Sequence, residues 1–190
     1  MTRCCRIAAV VTLLTLAAVV SACGKDQPPS AATSTADFKA ALAGAPAPLR
    51  DELYSRPSVL LDGGKPEFER TLAKLHGYPV VVNKWASWCG PCRYEFPFFQ
   101  AQAKRSGKRI AFMAVDGEDG KGQARKFLRK YPVPYPSFFD SGGDIAKLMK
   151  GERAFPVTAF FDRKGGLVYT KQGGYSSAAD LAGDVKQYAK

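Results

Sequence analysis

The run Pro79-Val80-Val81-Val82 constrains the fold more than any other stretch of this chain. A strand built from it is apolar on both faces, so it belongs in the middle of a parallel sheet with helices over each side. Ile110 to Val115 has the same character. Helical patterns separate such runs: Pro66 opens one with Phe68, Leu72 and Leu75 at i, i+4 and i+7, and Gly77 ends it. Pro91 to Ser106 forms another, with Pro97 as a predicted kink and Gly107 as terminator. This alternation predicts βαβ units and an α/β fold.

Val59 to Leu61 predicts a short strand ended by Asp62-Gly63-Gly64. Beyond Asp116 and a Gly-rich loop, Ala124, Phe127, Leu128 and Tyr131 share one helix face, which Pro132, Pro134 and Pro136 break. Ser137 to Phe139 predicts a strand, and Ile145, Leu148 and Met149 another helix. Val157 to Phe161 and Leu167 to Gln172 flank Asp162 to Gly166 as a β-hairpin. Ser177 and Asp180 resemble a capping box, with Leu181, Val185 and Tyr188 on the buried face of a last helix.

The first residues read differently. Met1 to Arg6 carry two arginines and no acid, and Ile7 to Val20 form an apolar run of 14 residues. As a helix it spans ~21 Å, short of the ~30 Å hydrocarbon core, so it predicts a secretory signal over a permanent anchor. Val20-Ser21-Ala22-Cys23 resembles a bacterial lipobox, which implies cleavage before Cys23 and lipidation of that residue; the alternative is an ordinary small-residue cleavage site. Gly24 to Thr35 holds two prolines and no aromatic, the composition of a tether, and Asp37 to Leu53 carries short helical hints around Phe38 and Leu42, interrupted by Pro46 and Pro48. The expected organisation is a signal peptide over 1–22, a lipidated Cys23 with flexible tether over 23–58, and one globular domain over 59–190.

A hydrophobic fraction of 46% excludes a disordered chain. The formal charge of +11 suggests an anionic neighbour, and the signal removes only Arg3 and Arg6 from it. The basic runs Lys104-Arg105 with Lys108-Arg109, and Lys121 to Lys130, lack a groove-reading motif, so they read as solvated faces and no nucleic-acid partner is expected. Of five cysteines, Cys4 and Cys5 leave with the signal and Cys23 takes the lipid, so Cys89 and Cys92 have only each other.

That pair sits in Trp88-Cys89-Gly90-Pro91-Cys92, between a buried strand and a helix start. Unpaired N–H groups and the macrodipole there favour an anion, so the first thiol should ionise well below ~8.5. Cys89, at the exposed N-terminal lip of the helix, would attack a substrate sulfur, and Cys92, one turn inside, would resolve the mixed disulfide; reversed, the same steps oxidise a dithiol. Gly90 permits close approach and Pro91 presets the helical backbone. A static disulfide would close too short a loop to constrain the unfolded chain. Zinc would need two further ligands, yet His76, read as an exposed turn residue, is the only histidine, so no metal and no cofactor are expected.

Val81 to Pro97, reading VVNKWASWCGPCRYEFP, resembles the active-site segment of the thioredoxin superfamily, in its membrane-tethered TlpA/ResA/DsbE-like branch. The likeness runs roughly from Val59 to Lys190. It implies a thioredoxin fold, a central mixed sheet flanked by helices, with the branch's inserted helix and strand falling within Asp116 to Asp140. It also implies a cis peptide at Pro156 beside the active site, an exported thiol-disulfide oxidoreductase lying on the outer face of the cell membrane, and substrates among exported protein thiols and disulfides, apocytochrome c included. A membrane electron donor of the CcdA/DsbD kind would feed a reductase; a disulfide oxidase, or a non-catalytic redox-sensitive binding module, are the alternatives.

Glu95 matches the family glutamate near the thiols and could exchange a proton with Cys92. Asn83 stands where cytoplasmic thioredoxins carry a buried aspartate. Lys84 departs from the branch's aromatic and reads as a strand-end lysine snorkelling to solvent, with a cation near Cys89 as the alternative. The loop Asp116 to Gly120 reads as a solvated turn, since the bidentate glutamate of a calcium loop is missing.

Overall fold

A computed structural model describes residues 34–190. Strands β1 (Leu60–Leu61), β2 (Val80–Trp85), β3 (Ala111–Gly117), β4 (Ser137–Asp140), β5 (Val157–Phe161) and β6 (Leu167–Gln172) form one sheet in the order β1-β4-β3-β2-β5-β6. The first four are mutually parallel; β5 pairs antiparallel with β2, and β6 pairs antiparallel with β5 at the edge. As their apolar faces require, β2 and β3 are buried at every residue, whereas the edge strand β6 is partly open along its length.

Helices α1 (Thr35–Ala41), α2 (Ala47–Leu49), α3 (Gly64–Lys74), α4 (Gly90–Ser106), α5 (Lys121–Lys130), α6 (Asp144–Leu148) and α7 (Ala178–Tyr188) flank the sheet. Helix α4 meets α7 and α1, while α3 meets α6 and β4. Aromatic rings fill the layers between: Phe68 stands edge-on to Phe138 and Phe161, and Trp85 stacks on Phe127 and meets Phe96 edge-on. The buried indole N–H of Trp85 donates to Ser137 Oγ at 3.2 Å, so its burial leaves no donor stranded. Helix α4 continues through Pro97; the hydrogen bond this residue cannot make is the one to the carbonyl of Arg93, an exposed residue. At α7 half of the expected box forms: Ser177 Oγ accepts the Asp180 N–H at 3.1 Å, but the Asp180 carboxylate turns to the Ser176 hydroxyl.

The main departure from the sequence reading lies before β1. Residues 34–58, grouped there with the flexible tether, fold onto the domain. A complete capping box starts α1: Ser34 Oγ accepts the Asp37 N–H at 3.2 Å, and Asp37 Oδ2 accepts the Ser34 N–H at 2.9 Å. Phe38, Leu42, Leu49 and Leu53 are buried, and Tyr54, ending a π-helical turn over Arg50–Tyr54, donates its hydroxyl to the Gly107 carbonyl at 2.6 Å. Pro46 and Pro48 cut the segment into pieces too short to show a helical period, which hid its apolar face. Signal, lipobox and Cys23 lie outside the described residues. Among those described, no helix is long and apolar enough to cross a membrane.

Leu49→Ala and Leu53→Ala should therefore each cost about 2–5 kcal/mol in urea unfolding, as core truncations do. Changes below about 0.5 kcal/mol, as surface positions give, would show that this segment is not part of the cooperative unit.

Candidate active site

Strand β2 ends at Trp85 and α4 begins at Gly90, so a tight turn delivers Cys89 to the helix N-cap. Its backbone is extended (φ −76°, ψ 110°), and its sulfur accepts the Cys92 N–H at 3.1 Å, one of the donors a helix start leaves free. Cys89 and Cys92 are joined as a disulfide with Cα atoms 5.3 Å apart. Pro91 stands in the first turn, where a missing N–H costs nothing. The open rim is made by Trp88, 55% exposed, with Gly90 and Pro91; Cys89 itself is only 3% exposed and Cys92 is closed off. The lip that the sequence assigned to Cys89 thus belongs to its neighbours.

Trp88 is fixed on one side. Its indole N–H donates to the Glu118 carbonyl at 3.0 Å, and its ring meets Phe155 edge-on at 5.0 Å. The Phe155-Pro156 peptide is cis, and the Pro156 carbonyl accepts the Gly173 N–H at 2.9 Å.

Glu95 lies three residues beyond Cys92 on α4, hence on the same helix face. It is fully buried. Its carboxylate accepts from Asn83 Nδ2 at 2.8 Å and from the Tyr175 N–H at 3.0 Å. A Cβ on Gly174 would stand 3.5 Å from both Glu95 Oε2 and Pro156 Cγ, so a residue without a side chain brings the carboxylate and the cis-proline together. Burial pushes the Glu95 carboxyl from 4.5 up to about 7, outweighing the two hydrogen bonds and the more distant Lys171.

Lys84 does not snorkel. It is 1% exposed, its ammonium donates to the carbonyls of Gly151 at 2.6 Å and Glu152 at 3.2 Å, and it lies 3.9 Å from the centre of the Phe155 ring. Burial lowers its pKa, with Glu118, Asp140 and Glu152 acting the other way. It ties β2 to the loop carrying Phe155 and Pro156, and its contacts lie with that loop instead of with Cys89. A strand-end position gave no warning, because the covering loop comes from residues far along the chain.

The loop read as a solvated turn is a splint. Asp119 accepts the Ser87 N–H at 2.6 Å and the Gly120 N–H at 2.9 Å, clamping the loop to the redox turn. Asp116, fully buried, has no hydrogen-bond partner for either oxygen among the described residues unless it holds a proton toward Asp119. Burial first, then the Asp119 carboxylate, push its pKa up to about 8. Its place at the end of a buried apolar strand was the one signal in the sequence.

Residues 42–185 match the Redoxin family over most of the chain. The chain belongs to the Redoxin family. This redoxin is 31% identical over 123 residues to the thiol:disulfide interchange protein DsbE of Pseudomonas fluorescens biotype C, covering 63% of this chain and 67% of that protein. It is 29% identical over 127 residues to the thioredoxin-like protein YneN of Bacillus subtilis, covering 60% and 74%. With the thiol-disulfide oxidoreductase ResA of Bacillus thuringiensis it shares 28% over 114 residues, covering 60% of this chain but 63% of that protein, less than two thirds. A crystal structure of a DsbE-type protein from Chlorobium tepidum superposes with a TM-score of 0.54 at 34% identity, over 61% of this chain and 81% of that one. A DsbF structure from MTB gives 0.55 at 28% identity, over 60% and 84%. The redoxin therefore has the thioredoxin fold and falls in the TlpA/ResA/DsbE-like group of thiol-disulfide oxidoreductases.

Glu95 and Asp116 give a pH signature. Between pH 4.5 and about 7 the unfolded chain ionises Glu95 while the native protein retains the proton, so stability falls as pH rises through that window. Asp116 acts with the same sign between 3.8 and about 8. In urea unfolding measured from about pH 5 to 8, Glu95→Gln should reduce the loss below about pH 7 and leave it unchanged above, whereas Asp116→Asn should reduce it across the whole range. An unchanged slope in both variants would refute the assignment.

Proposed function

We propose that this redoxin is a membrane-anchored, extracytoplasmic thiol-disulfide oxidoreductase that reduces disulfides of exported proteins through Cys89 and Cys92. The observation that supports it most is the Cys89 sulfur held at the start of α4, on the Cys92 N–H, where a thiolate is favoured. In the reduced protein the Cys89 thiolate attacks one sulfur of a substrate disulfide; the other sulfur leaves as thiolate and takes a proton. Cys92 then loses its proton, attacks the Cys89 sulfur and releases the second substrate thiol. Two electrons and two protons pass to the substrate, and Cys89–Cys92 becomes the disulfide. Glu95, poised near neutrality on the same helix face, is the acceptor for the Cys92 proton. Trp88, Gly90, Pro91 and cis-Pro156 form the rim against which the substrate chain lies.

A dithiol of a membrane donor of the CcdA/DsbD kind regenerates the reduced form, and the disulfide of apocytochrome c, reduced to its two thiols, is the substrate the likeness to ResA and DsbE suggests. A lipid on Cys23 holds the protein at the outer face of the membrane: a diacylglyceryl cysteine carries at least two chains, enough for firm anchoring at ~0.8 kcal/mol per buried CH₂.

Cys89→Ser and Cys92→Ser should each abolish insulin-disulfide reduction driven by dithiothreitol, and Cys92→Ser should accumulate mixed disulfides through Cys89. Equal capture through Cys92 in Cys89→Ser would reverse the roles. In a glutathione titration a potential near ~−270 mV supports the reductase, and one near ~−120 mV an oxidase. The native protein should fractionate with membranes and resist a high-salt wash, whereas Cys23→Ala should release it or leave an uncleaved precursor. Mature soluble protein with an unmodified Cys23 would refute the anchor.

A further inference from the structure

We propose that the cleft between α4 and α5 docks an acidic peptide segment of the protein whose sulfur is exchanged at Cys89. The inference rests on the oxidoreductase reading and names the chemistry of the partner. The cleft has a volume of about 300 Å³ and is lined by Phe127 and Tyr131, by the cations Arg93, Lys126 and Lys130, and by Ser87, two residues before Cys89. Three cations line it and no acid does.

The charge there is free to act. Helix α5 carries five cations in ten residues and no acid, but they divide by face. Lys121 and Arg125 turn to Asp62 at 3.4 and 3.5 Å, on the side of β1. Lys126 and Lys130, one turn apart on another face, form no ion pair among the described residues, and neither does Arg93. Like charges at that spacing repel unless an anion lies between them. The Arg93 guanidinium also reaches the redox turn: one of its nitrogens lies 3.8 Å from where a Cβ on Gly90 would stand.

The opposite flank differs. There Glu118, Asp140 and Glu152 surround Lys84 and Lys147, and Trp88 leans that way onto the Glu118 carbonyl and Phe155. A partner reaching Cys89 therefore meets, on the α5 side, a cleft lined by three cations, with Asp119 held on the Ser87 N–H, and on the other side one lined by three carboxylates and two lysines. An acidic stretch fits the first and is repelled by the carboxylates of the second, which orients the bound chain as well as steering its approach. A peptide is favoured over a lipid surface because the cleft runs into the rim of the disulfide, which a membrane lying on it would cover.

Two measurements test this. In the first, the reduced full-length protein is mixed with single-cysteine peptides carried as glutathione mixed disulfides, with glutamates, serines or lysines flanking the cysteine. The net reaction converts the protein dithiol and the mixed disulfide to the Cys89–Cys92 disulfide, peptide thiol and glutathione. The acidic peptide should react about tenfold faster than the serine peptide at low salt, falling to about twofold or less at 0.5 M salt, and the lysine peptide should be slower than both. Equal rates for the three would overturn the proposal.

In the second, binding of the acidic peptide with serine in place of cysteine is followed by fluorescence anisotropy on the oxidised protein. Lys126→Glu with Lys130→Glu should weaken it at least about tenfold. Arg105→Glu with Lys108→Glu, the same change in net charge at the far end of α4, should weaken it by less than about twofold. Equal weakening by both pairs would make the effect one of overall charge and overturn the cleft. So would failure of the peptide to bind while vesicles containing phosphatidylglycerol bind in a Lys126- and Lys130-dependent way. Binding with the expected dependence, but no reaction of any mixed disulfide, would uphold the cleft and overturn the oxidoreductase reading instead.

Discussion

Strand β2 is hydrogen-bonded on both sides over nearly its whole length, parallel to β3 and antiparallel to β5, and the rest of the molecule takes its position from it. A strand paired on both edges and buried on both faces has no freedom to shift register, since a one-residue slip would exchange its faces. Its end is therefore a fixed point. Lys84 lies opposite Val157, the residue after cis-Pro156, and Trp85 lies opposite Asp116. The turn that follows delivers Cys89 to the start of α4 at that same place, so strand pairing brings disulfide, proline and the Asp116 to Gly120 loop together.

Around this point the protein buries polar groups, and three of them have a clear structural task. Asn83 and the Tyr175 amide hold the Glu95 carboxylate from two directions. Lys84 joins the sheet to the 151–156 loop through two carbonyls and an aromatic ring. Asp119 fastens the redox turn by accepting the Ser87 N–H. In a low-dielectric interior such contacts are strong when complete and costly when broken, which suits a site that must stay in one geometry while a sulfur is exchanged. Two carboxyls are pushed toward or above neutral pH by the same burial, since desolvation opposes their charge.

The charged surface is organised with equal purpose. The whole chain carries a formal charge of +11, and at the redox site cations gather on one flank by α5, where they divide between a pairing with Asp62 and the cleft beside Arg93. Overall charge governs attraction at long range, whereas the division of charge between the two flanks governs orientation at contact.

The sequence by itself determined the strands, the long helices and the chemistry. Doubly apolar runs can be satisfied only in a sheet interior, periodic apolar faces only as helices, and two cysteines one turn apart at a helix start only as a redox pair or a disulfide. It also carried the family likeness, because Val81 to Pro97 is a contiguous motif whose neighbours in sequence are neighbours in space. What tertiary structure decided are contacts between segments remote in the chain. Residues 34–58 became part of the domain because the Gly107 carbonyl and the adjacent core accept Tyr54 and its apolar neighbours, which no local period announces. Lys84 was buried because the loop at Gly151 covers it, Asp119 became a splint because Ser87 lies within reach, and the basic run of α5 became a cleft wall because α4 sets Arg93 beside it. The burial of a charge depends on what packs over it, and that is supplied by the fold and not by the residue.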